Sequence, residues 1–173
     1  MMGLMGLVGL LVGCVSGETG SEEPFLWVIT TEGAGDEVKM VLEGETAVLD
    51  IHSETGIGGA QVQLQSGTWP PEMVLRFHLS GLEEMTLIYG ETTLTLNVSS
   101  HGDNAIWQSI TQNGNTEEIG PDSPYWMNVS LTAADGSPAS IPLDKGTIQV
   151  TIPKDITQSD QTSFTIQWID FYR

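Results

Sequence analysis

From residue 25 onward, apolar and polar side chains alternate one by one in short runs. Ala60-Gln61-Val62-Gln63-Leu64-Gln65 alternates strictly, with its glutamines on the wet face. Leu75, Phe77 and Leu79 share one side of their run, and Arg76 and His78 take the other. Leu94, Leu96 and Val98 repeat the pattern, as do Ile148, Val150 and Ile152, and Phe164, Ile166 and Trp168. A strand turns successive side chains to opposite faces, so each run buries one face and wets the other. No stretch sustains a period of 3.6 residues. The one helix-like piece is Gly81-Leu82-Glu83-Glu84-Met85, long enough for a single turn.

Turn residues punctuate the runs: Gly33-Ala34-Gly35, Gly56 through Gly59, Trp69-Pro70-Pro71, Asn113-Gly114-Asn115 and Asp135-Gly136-Ser137-Pro138. About nine or ten strands are expected, from eleven candidate ranges of which one is surplus. Their candidate ranges are 25–31, 37–43, 45–52, 60–66, 73–80, 84–89, 92–99, 105–111, 125–132, 147–152 and 162–171. Strands with one dry face need two packed sheets, so the expected fold is an all-β antiparallel β-sandwich, with a β-barrel as the alternative. A chain of 173 residues suits one such domain, and residues 25–173 form it. The run Trp168-Ile169-Asp170-Phe171-Tyr172-Arg173 is apolar enough to be a core strand.

The chain begins differently. Residues 1–13 are Met, Gly, Leu and Val only, and no charge precedes Glu18. As a helix this stretch would rise about 20 Å, short of the roughly 30 Å of bilayer hydrocarbon. It has the length of a signal-peptide core. Residues 15–24, Val-Ser-Gly-Glu-Thr-Gly-Ser-Glu-Glu-Pro, have linker composition and would span about 16–19 Å as a flexible coil. Between the two lies Leu11-Val12-Gly13-Cys14, which resembles the lipobox of bacterial lipoproteins. The resemblance implies cleavage before Cys14 and lipidation of that residue. It thus implies a signal peptide over 1–13, a lipidated cysteine and tether over 14–24, and a location at the cell membrane or outer membrane, facing the periplasm or exterior. The leader departs from the family pattern in having no Lys or Arg. The block Gly58 to Glu83 and the closing WIDFYR also resemble uncharacterised exported bacterial β-domain proteins, which implies no activity.

Charge narrows the partners. Five Lys and Arg against 23 Asp and Glu give a net charge of −18. Nucleic-acid binding needs clustered cations and is excluded as an expectation; so is a polybasic membrane patch. Cys14 is the only cysteine, so there is no disulfide framework and no cysteine-based metal site. His52, His78 and His101 lie on separate segments without HxH or HxxxH spacing, and no metal site is expected from them. The oxygen-rich pieces His101-Gly102-Asp103-Asn104, Asp122-Ser123 and Asp135-Gly136 leave structural calcium as a minor alternative to no cofactor. The glycines at 56–59 lead into a strand with no lysine after them, so they read as a tight turn or bulge rather than a phosphate loop.

No catalytic residues are assigned. The acidic pairs Glu22-Glu23, Asp36-Glu37, Glu83-Glu84 and Glu117-Glu118 read as solvated loops, and GxSxG does not occur. Five tryptophans are many for this length. Flat exposed rings stack on sugars, and Trp126, Tyr125 and Trp69 are the candidate ligand-binding residues. The expected protein is a monomeric lipid-anchored binding or structural module with a glycan or protein partner. A carbohydrate-binding module is the first alternative, and a carboxylate-based hydrolase the second.

Overall fold

The computed structural model describes residues 10–14, 26–32, 36–78, 81–98, 106–140 and 145–170. They form a β-sandwich. One sheet runs in the order β1 (Leu10–Cys14), β2 (Leu26–Thr31), β5 (Ile57–Ser66), β13 (Ser163–Ile169), β7 (Glu84–Tyr89), β8 (Thr92–Val98), β9 (Ile106–Gln112) and β10 (Asn115–Ile119). The smaller sheet runs β11 (Val129–Ala133), β12 (Gly146–Thr151), β6 (Glu72–His78), β4 (Thr46–His52) and β3 (Glu37–Glu43). The single helix among the described residues is α1 (Lys154–Thr157), one turn long.

Alternation explains the layering. The inner faces contribute Ile29, Val62, Phe164, Ile166, Leu87, Leu94 and Leu96 from the large sheet, and Leu49, Ile51, Leu75, Phe77 and Val150 from the small one, all at most 1% exposed. The sheets meet at Phe77 and Trp168, whose rings pack edge to face at 5.9 Å between centroids.

Eleven of the thirteen strands fall on the alternating runs. The other two are β1, in the segment read as a leader, and β10, which carries Glu117 and Glu118. Those two glutamates therefore lie on an edge strand, not in a loop. The Asn113-Gly114 turn that joins β9 to β10 explains it: both residues have positive φ, 51° and 77°, the geometry of a tight hairpin. β10 is exposed except at Ile119, so it presents no apolar alternation to read.

Other expectations need correction. Gly81 to Met85 forms no helical turn; Glu84 and Met85 already belong to β7, because Met85 must enter the core. The run at 125–132 becomes a strand only from Val129. Gly56 has a positive φ of 75° as a turn residue should, but Gly58 and Gly59 are strand residues of β5. Gly58 pairs with Trp168, and a Cβ there would fall on the Asp36 carboxylate and the Trp168 indole, within 2.7 Å of Cε2. The glycine makes room for a tryptophan. Asp36 is accordingly no solvated loop residue, since both its carboxylate oxygens are buried.

One pairing breaks the antiparallel rule. β5 leaves the small sheet for the large one, so β4 and β6 become neighbours and run parallel. Their register sets Asp50 beside Arg76 and His52 beside His78.

Of the expected domain boundaries, residues 1–9 and the tether at 15–24 lie outside the described residues. The backbone of Leu10–Cys14 pairs antiparallel with β2, Cys14 opposite Leu26.

Candidate functional site

The outer face of the small sheet gathers the chain's polar chemistry. On β4 the residues Thr46, Val48, Asp50 and His52 point outward, opposite the buried Ala47, Leu49 and Ile51. On β6, Arg76 and His78 share that face. Asp50 and His52 stand two residues apart on one strand, and His78 lies in register with His52 on the next. The two imidazoles stack, with centroids 4.0 Å apart and planes 6° from parallel. Both turn Nε2 toward Asp50: His78 Nε2 is hydrogen-bonded to Oδ1, and His52 Nε2 lies 3.6 Å from Oδ2. One nitrogen from each ring and one carboxylate oxygen all lie within 4.8 Å of one another.

The neighbouring charges are already paired. Lys39 faces Asp50 from β3 and is bound to Glu37, which itself faces His52. Arg76 donates from Nη1 and Nη2 to the two oxygens of Glu43, at 2.8 and 2.9 Å. That pair holds the Glu43 carboxyl below the usual carboxylate range, chiefly through the hydrogen bond. It also has a packing role. The path from β6 to Glu43 on β3 crosses β4 at Val48, which is only 2% exposed although it faces outward. With Lys39 and Arg76 each held by a glutamate, Asp50 is left to the two histidines.

Such a set can do one of two things. It can hold a proton between imidazole and carboxylate, or it can offer two nitrogens and an oxygen to a cation of intermediate softness. Spacing within either strand does not reveal the cluster, because the histidines are 26 positions apart and meet only through the parallel pairing. Asp50-x-His52 on an alternating run was the one local signal. The absence of an HxH motif therefore did not exclude a two-histidine cluster.

The aromatic candidates are buried to different degrees. Trp69 is 7% exposed, packs on Phe164 at 5.3 Å between centroids, and donates its Nε1–H to the Gln161 carbonyl at 2.6 Å. Little of its ring is open to solvent. Tyr125 and Trp126 are half-buried against the core and precede the strand, so alternation did not govern them. Their segment is fastened by Gln108 on β9, 1% exposed, whose Nε2 donates to the Met127 carbonyl at 2.7 Å while its Oε1 accepts the Met127 N–H at 2.9 Å. The exposed tryptophan is Trp107, at 51%, on the outer face of the large sheet. It lies in a cross-strand row with Asn97, Glu84, Ile169 and Ile57. Two strands along that row, from Glu84 onward, a depression of about 370 Å³ is lined by Glu32, Glu84, Thr86, Gln167 and the two isoleucines.

Of the calcium candidates, residues 101–104 lie outside the described residues. Asp135 accepts from the Ser137 N–H and Oγ–H at 2.9 and 2.6 Å, a local turn that accounts for its position and lowers its carboxyl pKa. Ser123 Oγ accepts from the Tyr125 N–H in the same manner.

No protein family, curated protein or solved structure matches the chain. No helix among the described residues is long and apolar enough to cross a membrane.

Proposed function

We propose that this protein is a lipid-anchored lipoprotein that displays its β-sandwich outside the cytoplasm and works by binding or as a structural element rather than by catalysis. The observation that carries the reading is Leu11-Val12-Gly13-Cys14: the only cysteine of the chain, set between an uncharged apolar leader and a ten-residue polar spacer. The fold accommodates such processing. β1 lies at the outer end of the large sheet, so cleavage before Cys14 leaves seven strands there and five in the other sheet. The test is Cys14→Ala in the producing cell. The variant is expected to move from the detergent phase to the aqueous phase and to lose fatty-acid labelling. Unchanged partitioning and labelling would overturn the proposal.

Trp107 favours a second reading, a glycan contact on the large sheet. Its exposed indole gives a stacking surface, and Asn97 and Glu84 in the same row supply hydrogen-bonding groups for hydroxyls. This moves the carbohydrate alternative away from Trp69, which is buried. Retention of the wild-type protein on immobilised oligosaccharides and its loss in Trp107→Ala are expected. Equal retention of both proteins, or of neither, sinks the reading. A carboxylate hydrolase has Glu32 and Glu84 in the adjoining depression to draw on, and no histidine among the described residues lines it.

A further inference from the structure

We infer that Asp50, His52 and His78 form a binding site for a divalent late transition-metal ion of the zinc and copper class. Two imidazoles and one carboxylate are a donor set suited to ions of intermediate softness, and leave at least one coordination position to water or a partner group. Three features of the molecule support it.

The first is convergence. The Nε2 atoms of two stacked rings both turn toward the two oxygens of a single carboxylate, with one donor atom per residue within 4.8 Å of the others. Zinc–nitrogen bonds of about 2.0–2.1 Å at a tetrahedral angle need nitrogens about 3.4 Å apart. The remaining difference, at most about 1.4 Å, is of the size that side-chain rotation spans. The second is rigidity. All three residues sit on adjacent strands in fixed register, where the ligand positions are set by the sheet rather than by a loop.

The third is charge. The cations nearest to Asp50, Lys39 and Arg76, are neutralised by Glu37 and Glu43, so they do not oppose an incoming dication. The net charge of −18 raises the local concentration of any cation. Acidity alone would gather calcium and magnesium as well, whereas the imidazoles select against them.

The experiment is calorimetric titration of the full chain, purified without a polyhistidine tag and treated with chelator, using zinc, copper, calcium and magnesium salts in separate runs. One zinc or copper ion per chain is expected. Calcium and magnesium are expected to bind at least roughly tenfold more weakly. His52→Ala and His78→Ala should each weaken zinc binding by roughly tenfold or more, and Asp50→Asn should weaken it as well. Circular dichroism would verify that each variant keeps its strand signal. A measurement on the unaltered protein guards against misfolded variants: zinc should shift the imidazole proton resonances of His52 and His78 but not those of His101. Three results would each overturn the inference. They are no stoichiometric zinc or copper binding, binding retained in the His52→Ala/His78→Ala double variant, and zinc shifts confined to His101. Calcium binding as strong as zinc binding would reassign the effect to the acidic surface and overturn it too.

Discussion

Tyr89 has its ring almost wholly within the core, 8% exposed, and the structure taxes its ionisation. Burial is the main cause, Tyr125 and Asp155 add like-charge repulsion, and together they push the phenol from 10 to about 12. The folded chain therefore holds this proton more tightly than the unfolded one. The stability it confers is complete below pH 10 and is lost as the pH rises through about 12. Tyr89→Phe should flatten the decline of the urea midpoint across that window relative to wild type. Equal declines in the two proteins would contradict the assignment. Tyr89 closes the alternating run 84–89, so its burial was readable from the sequence. Gln108 was not. It belongs to an expected strand, but only the structure shows its amide clamped to both polar groups of Met127. Trp126 and Tyr125 show a related limit: a period-two argument holds only inside a strand, and the strand begins later, at Val129.

At the scale of elements, the runs with one apolar face were legible because a sandwich strand has one wet side. β10 was not, since an exposed edge strand with glutamates has no dry side and resists further pairing. The neighbour relations of strands were equally hidden. His52 and His78 meet because β5 departs for the opposite sheet, a choice that no residue in β4 or β6 announces. The glycines of β5 show how one strand records another. Gly58 lies against the Trp168 indole of β13, so Gly58→Ala forces either the ring or the strand to move. A loss of about 1–3 kcal/mol is expected, measured by urea unfolding. A loss below about half a kilocalorie would show that Trp168 relaxes freely. Ala at Gly114, where no atom lies within 4 Å, is a comparison in which any cost comes from its φ of 77° rather than from crowding.

Over the whole molecule, the β-sandwich followed from alternation and turn spacing, while the sheet memberships did not. β13 is the last strand of the described chain, yet it lies between β5 and β7 in the interior of the large sheet. Its register with β5 spans seven residue pairs, and that with β7 spans five. Strands made early thus wait for a partner made late. A ribosome emits residues at about 5–20 per second, so the strands made before β13 spend seconds without it. A core that waits for its thirteenth strand is slow to form a compact obstacle. Under the export proposed above, that delay is the useful property, because a translocation channel admits an extended thread. On that proposal, the same placement that makes β13 the keystone of the folded state keeps the nascent chain threadable.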